Sequence, residues 1–547
     1  MEKTNRREFL SAVAGGAAAW RAAPARPNIV LIMADDLGYS DIGCFGGEIE
    51  TPNLDSMARS GIRFSQLCNT ARCCPTRASL LTGVYPHQAG IGHMIEDRGL
   101  PAYRGQLRPD RPTIAELLRR AGYATGMSGK WHVSNLRIRG KQQLNFESGE
   151  PYWTDKASWP LQRGFDEFYG IIAGVLNFYD PFSLVHGNDP AKPQSKDYYF
   201  TDAITDHAIS TIERHARTGK PFFHYVAHTA PHWPLHALEP EIRKYRKMYL
   251  KGWDVIRQER FARMRKMGLI DPRWKLTPRD ASVPAWDAAP HKEWEAERMA
   301  VYAAMTDRMD QAIGRILASL KRLKLESNTL VLFLSDNGGC AEDVQPGWYD
   351  IPSKTRAGQP IRVGNDPSVR PGPEDTWLSY GPPWANVSNT PFRLYKHFVH
   401  EGGIATPFIA AFGNNVKRPG SIHPEPGHVM DLLPACLEAA GAEPPKELEG
   451  RSFLPLVRGG PQGPERSLFF EHEGNRAVRK GRWKLVSRFP GPWELYDLDA
   501  DRTEMNDLAS SNPEQVRRLA DEYESWATRC GVVEWSKLPR PVSVVKN

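Results

Sequence analysis

Residues 28–36 read N-I-V-L-I-M-A-D-D. The first seven are uninterrupted by charge, rich in β-branched side chains and too few for a typical helix. Such a run fits a strand buried on both faces, the kind found inside a parallel sheet. It stops abruptly at Asp35-Asp36. The same pattern recurs down the chain. Tyr123 to Met127 reads as a short strand leading to Gly129-Lys130-Trp131-His132. Phe222 to Ala227 leads to H-T-A-P-H-W-P at 228–234. Thr329 to Leu334 ends at Asp336-Asn337-Gly338-Gly339. Helical patterns lie between them. Ile114, Leu117, Leu118 and Ala121 follow Thr113 as N-cap and stop at Gly122. Met299, Tyr302, Met305, Met309, Ile313, Ile316 and Leu320 recur at three- and four-residue spacing. Strands alternating with helices predict an α/β fold, a large mixed, mostly parallel sheet flanked by helices. In such sheets ligands sit beyond the carboxyl ends of the strands, which is where these polar clusters fall.

Two stretches break the alternation. Residues 235–295 are rich in Arg, Lys, Glu and Trp and read as surface helices and loop. Residues 341–390 are rich in Pro and Gly and read as a long functional loop. The character changes near 445. Short strands at Leu468 to Glu471, Arg476 to Arg479, Trp483 to Val486 and Glu494 to Tyr496, then a helix at 513–527, predict a smaller C-terminal α+β domain over 445–547. That leaves 26–444 as the main domain.

The first 25 residues form a third part. N-R-R-E-F-L at 5–10, a short apolar stretch from Phe9 to Trp20 and A-P-A at 23–25 resemble a twin-arginine signal peptide, which implies the twin-arginine export machinery as partner and a periplasmic or extracellular destination. No stretch approaches the length of a membrane span. The formal charge of +7 is spread without long single-sign runs, which argues against nucleic-acid binding. Seven cysteines, an odd number, form no disulfide framework, and the adjacent pair Cys73-Cys74 stands out.

Asp35, Asp36, Asp336 and Asn337 all close apolar strands. Strand ends of one sheet converge, so these oxygen donors can meet around a divalent cation. Hard oxygens without Cys or His favour calcium or magnesium over zinc. Taken singly, either pair is also an ordinary cap or turn.

The run Cys73-Cys74-Pro75-Thr76-Arg77-Ala78-Ser79-Leu80-Leu81-Thr82-Gly83 resembles the signature of the type I sulfatases. The commoner form of that signature is C-x-P-S-R, a small residue, then L-L-T-G. Cys73, Pro75 and Arg77 match it, and Thr76 replaces the usual serine. The resemblance extends from Asn28 to L-Y-D-L at 495–498 and is nearest to bacterial arylsulfatases of the alkaline-phosphatase-like superfamily. Y-P-H-Q-A-G-I-G-H-M at 85–94 and W-L-S-Y-G-P-P-W-A-N at 377–386 point to that branch.

The resemblance implies that Cys73 is oxidised to 3-oxoalanine (formylglycine) by a formylglycine-generating maturation enzyme. One hydroxyl of the aldehyde hydrate would attack sulfur. Loss of the other's proton would then expel sulfate. Residue 73 would also join Asp35, Asp36, Asp336 and Asn337 at Ca2+, with Mg2+ as the alternative ion. Arg77 would steady the hydrate. Lys130 would bind a sulfate oxygen and His132 accept the proton that releases sulfate. His232 and Lys396, the latter in R-L-Y-K-H-F-V-H-E-G-G at 393–403, would hold sulfate and the leaving oxygen. His224, His228, His397, His400 and Cys74 are read as structural.

The expected reaction is hydrolysis of an aryl or carbohydrate sulfate monoester. The alternatives are a phosphonate or phosphodiester hydrolase of the same superfamily, and a non-catalytic binder of sulfated glycans whose Cys73 stays a thiol. The walls of the leaving-group pocket are expected near Asn177-Phe178-Tyr179 and in the 341–390 loop.

Overall fold

A computed structural model describes residues 26–135, 156–347, 351–461 and 463–542. The segment 1–25, with its signal-like pattern, lies outside the described residues. We label only the elements used below. The strands are β1 (Asn28–Ala34), β2 (Ile62–Cys68), β3 (Ala124–Lys130), β4 (Glu167–Ile171), β5 (Phe222–Ala227), β6 (Thr329–Ser335) and β7 (Ala405–Ala411). They belong to one 11-stranded sheet in the order β2-β7-β6-β1-β5-β3-β4, with short strands extending both edges.

β1 runs parallel to both its neighbours, β5 and β6, and β3 runs parallel to β5 and β4. Among the labelled strands β7 alone runs against its neighbours, β2 and β6. The central position of β1 explains its composition. Val30, Ile32 and Ala34 pack into the core on one face, and Ile29, Leu31 and Met33 into the core on the other. Each large side chain so buried contributes about 1.5–3 kcal/mol from removal of apolar area alone.

Helices cover both faces. On one lie α1 (Pro52–Ser60), α4 (Phe200–Arg217) and the long α5 (Lys292–Arg322). On the other lie α2 (Cys73–Thr82), α3 (Ile114–Arg120) and α6 (Leu432–Ala440). Thr113 caps α3 as its sequence predicts. Its hydroxyl accepts from Glu116 N, and the Glu116 carboxylate accepts from Thr113 N. No helix among the described residues is long and apolar enough to cross a membrane.

The C-terminal region forms a four-stranded antiparallel sheet, β8 (Ser467–His472), β9 (Asn475–Lys480), β10 (Trp483–Ser487) and β11 (Glu494–Asp497), under helix α7 (Pro513–Cys530). Its core is continuous with Cys68, Ala71, Tyr85, Val399, Ile404 and Met430 of the main domain. The β8–β9 hairpin turns through Glu473 and Gly474, at φ +53° and +79°.

Two expectations need correction. The 235–295 segment forms helices and loop over one side of the sheet, but several of its aromatic and charged side chains are not at the surface. Tyr245, Tyr249, Trp253, Ile256, Arg257 and Arg260 are buried. Arg260 sits 2.6 Å from Asp41 and 2.7 Å from Glu48, so its charge is neutralised inside the fold. A stretch of alternating charge and tryptophan reads as surface only until those partners, distant in sequence, are known. The 341–390 stretch is also more ordered than a loop. Among its described residues are a two-stranded ribbon, Arg362–Val363 with Thr376–Trp377, and a helix, Gly381–Ser388.

Candidate active site

Three strand ends are locked together where the sheet opens. Beyond β1, Asp35 N donates to Ala230 O (3.1 Å). Asp336 N donates to Ala34 O (3.2 Å), and His228 N to Met33 O (2.9 Å). The turns after β1, β5 and β6 therefore leave the sheet side by side. Lys396 comes from the loop before β7, where Lys396 N donates to Gly339 O (3.2 Å) and His397 N to Ala71 O (2.9 Å). β3 delivers Lys130. Gly129 just before it has φ +112°, and a Cβ there would lie 1.9 Å from Ala227 O, so only glycine allows this approach. Asp36, Ala71, His132, Leu394 and His397 all adopt positive φ without being glycine. Strain of this kind gathers where surrounding packing holds a functional constellation in place.

The assembled floor is charged and dry. Lys130 Nζ donates to Asp35 Oδ2 (2.7 Å). Arg77 Nη2 donates to Asp336 Oδ2 (2.7 Å) and lies 3.6 Å from Asp35 Oδ1. Lys396 Nζ sits 2.9 Å from Asp36 Oδ1 and 3.4 Å from His232 Nε2. Asn337 Nδ2 donates to Asp36 Oδ1 (2.7 Å), and Asp36 N to Asp336 Oδ1 (3.2 Å). His232 Nδ1 donates to Trp233 O, because a carbonyl can only accept, and this leaves the Nε2 lone pair facing Lys396. Three cations thus hold three carboxylates whose side chains are 0–2% exposed, and removing one partner of such a buried pair costs about 3–5 kcal/mol.

Burial shapes the protonation of these groups. It raises the Asp35 carboxyl despite Lys130 and Arg77, and with Asp35 alongside it pushes Asp336 up to about 7. For Asp36, burial is outweighed by His232 and Lys396, which hold the carboxyl below its usual range. His132 and His232 are each pushed down to about 4 by burial, so both are neutral near pH 7. Cys73 opens α2, with its thiol in reach of Cys74 and His132. The Cys74 thiol bonds to it, and with Lys130 and His132 this outweighs burial and holds the Cys73 thiol well below the ordinary thiol range. Cys74 itself is raised by burial.

The four strand-end residues fit a hard divalent cation. They offer only oxygen, and Asp35 Oδ1 and Asn337 Oδ1 are buried with no hydrogen-bond partner. A buried acceptor left so costs free energy unless a ligand or ion completes it.

The ten residues singled out from the sequence lie together in this floor. Of the histidines read as structural, His224 shares the Ser128 hydroxyl within β3–β5 (2.9 Å) and His400 faces Glu494 (3.4 Å). His228 is buried beside the strand end. His397 is different, because it stands between Glu342 and Glu473 at 3.1 and 2.9 Å. Phe178 and Tyr179 are anchored in a knot with Tyr199 and His236, and the Tyr179 hydroxyl donates to Ala237 O (2.9 Å). The sequence reading missed Glu342, Arg72, Glu473 and Tyr302. Tyr302, on α5, donates its hydroxyl to Asp41 Oδ2 (2.7 Å) and lies 3.2 Å from Asp36 O. Its place on the buried stripe of that helix concealed a polar role.

A doubly wound sheet with lysine, arginine and oxygen donors gathered at its strand ends is an arrangement able to bind and cleave an oxyanion ester. Comparison with known proteins narrows this. The sulfatase family profile matches residues 27–442, and the profile of the N-sulphoglucosamine sulphohydrolase C-terminal region matches 392–525. The chain is 34% identical to the arylsulfatase of Klebsiella aerogenes over 83% of its length and 95% of the relative's. It is 32% identical to an uncharacterized sulfatase of Schizosaccharomyces pombe over 93% of its length and 94% of the relative's. The crystal structure of Ps i-CgsB in complex with k-i-k-neocarrahexaose superposes with a TM-score of 0.66 at 24% identity, covering 94% of this chain and 95% of that one. The protein belongs to the sulfatase family and is a sulfuric ester hydrolase acting on a sulfate monoester.

Proposed function

We propose that the protein cleaves aryl or carbohydrate sulfate monoesters with a nucleophile made from Cys73 and with a divalent cation, calcium by family resemblance. The observation that carries this reading is the convergence of Lys130, Arg77 and Lys396 with four oxygen-donor residues around one buried cysteine at a helix N-terminus. Such an array matches a dianionic transition state whose negative charge spreads over several oxygens.

Oxidised to an aldehyde and hydrated, residue 73 would supply two hydroxyls on one carbon, one to attack sulfur and one whose deprotonation frees sulfate. The cation, held by Asp35, Asp36, Asp336 and Asn337, would lower the pKa of the attacking hydroxyl and draw charge from sulfate oxygens. Lys130 and Lys396 bind the sulfate oxygens, and Arg77 holds residue 73 in place. Lys396 keeps its proton, since its pairing with Asp36 outweighs burial, and so presents positive charge to the leaving oxygen. His132 is neutral and can take the proton whose loss frees sulfate. His232 orients the group through Nε2.

The same reading includes a maturation enzyme acting on Cys73. With the signal-like N-terminus it also includes export by the twin-arginine route to the periplasm, where sulfated substrates would be met. Because that route carries folded proteins, oxidation would precede export. The test is purified, matured protein assayed on p-nitrophenyl sulfate, sulfated sugars and a phosphodiester. Faster sulfate hydrolysis is expected. A phosphodiester rate far above every sulfate rate contradicts the reading.

A further inference from the structure

The C-terminal sheet leaves a cavity where it meets one side of the main sheet. Its volume is about 410 Å³, ordinary for a small-molecule site. β2 contributes Phe64, Gln66 and Leu67 to its walls, β7 contributes Phe408, and β9 contributes Arg479. None of the ten residues of the strand-end site lines it. Phe64, Phe408 and Phe453 form an apolar wall, with ring centroids 5.1–5.5 Å apart. The exposed Gly463, Glu465, Arg482 and Asp499 mark its open side.

Arg479 is the charge at the bottom of this cavity, 3% exposed. Its Nη2 donates to Gln66 Oε1. Nε and Nη1 meet no oxygen acceptor, and the nearby Cys68 thiol, which burial raises and keeps uncharged, is a poor substitute. The neighbouring charges do not compensate it. Lys484 faces it directly across β9 and β10, and like charges so placed repel. Glu401 is taken by Lys484 (2.8 Å) and Arg502 (2.7 Å), and Glu504 by Lys484 (2.8 Å). Three buried cations therefore share two carboxylates, and one positive charge is left over. Burial, with Arg502 alongside, draws the Arg479 guanidinium below its usual range. The buried acids on the cavity wall are engaged elsewhere. Asp431 accepts from Arg466 and from the backbone of His428 and Arg451, and Glu425 faces His423 (3.0 Å). A buried charge left without a counter-ion is costly, and an anion entering from the open side removes that cost.

The chemistry of the cavity selects its ligand. One excess cation calls for a single negative charge, and a dianion would overshoot it beside Asp431 and Glu425. The three phenylalanines call for an apolar body. We propose that this cavity is a second ligand site and that it takes a small organic carboxylate, whose head meets Arg479 and whose apolar body lies against Phe64, Phe408 and Phe453. The site owes nothing to the chemistry at Cys73, so either can stand without the other.

Calorimetry on the full chain with phenylacetate, its neutral analogue phenylethanol and inorganic sulfate tests this. Phenylacetate should bind at least about tenfold more tightly than phenylethanol, the scale of one charge-assisted hydrogen bond. Arg479→Gln should weaken phenylacetate by the same factor and leave phenylethanol unchanged, and Arg479→Lys should retain most of the binding. Leu456→Trp fills the cavity from a half-buried wall and leaves the charged cluster intact. It should abolish binding, and it decides the matter if Arg479→Gln does not fold. Excess inorganic sulfate should leave phenylacetate binding intact. No binding of phenylacetate, equal affinity for acid and alcohol, unchanged binding in folded variants, or displacement by inorganic sulfate each overturns the site.

Discussion

The floor and the rim of the site are both charged, but they are built on different principles. On the floor, Asp35, Asp36 and Asp336 meet Lys130, Lys396 and Arg77 with almost no solvent, at the ends of strands fixed by the central core. On the rim, Glu342 and Glu473 share Arg72, His397 and His93 while still touching water, and they arrive on a loop and a hairpin. Low dielectric makes each floor interaction strong and each loss severe, whereas water blunts both on the rim.

Four substitutions test how far this contrast holds. The largest effect is expected from Cys73→Ala, which removes the nucleophile precursor. kcat should fall by about 10^3-fold or more with far-UV circular dichroism unchanged, and retained turnover would remove Cys73 from the chemistry. Lys396→Met should cost about 10^2–10^3-fold in kcat. It should also lower stability by about 3–5 kcal/mol in cation-free protein, because the buried Asp36 carboxyl loses its lysine partner. A denaturant titration showing no loss would mean that the floor is wetter than described. Asp336→Asn removes a charged oxygen, so calcium affinity measured by calorimetry should drop by at least about tenfold, and unaltered affinity would move the cation elsewhere. The mildest is Glu342→Gln on the rim, expected to cost about 1 kcal/mol of stability. A loss as large as that of Lys396→Met would erase the distinction between floor and rim.

Part of the floor was legible from local pattern, since Asp35, Asp36, Asp336 and Asn337 close apolar runs and Cys73 heads a motif. Lys130, His132, His232 and Lys396 entered only through the family resemblance, because a lone lysine or histidine carries no local signal. The rim was hidden for physical reasons. Glu473 falls between two short expected strands, Glu342 lies in a Pro- and Gly-rich stretch without periodicity, and Arg72 is one charge before a conspicuous cysteine pair. Only tertiary packing of β8–β9 against the loops brings them together. His397 was read as a hydrogen-bonded structural residue, and the two glutamates that hold it come from the distant segments at 342 and 473. The buried Arg260 in the 235–295 segment failed for a related reason, since its partners Asp41 and Glu48 lie far off in sequence.

The account depends most on what residue 73 is in the working protein. Mass spectrometry of the proteolytic peptide spanning Cys73, from active protein co-expressed with a formylglycine-generating enzyme, tests this directly. The peptide should carry an aldehyde in place of the thiol, in proportion to specific activity. A preparation that hydrolyses sulfate esters fully with Cys73 entirely in the thiol form would contradict the account.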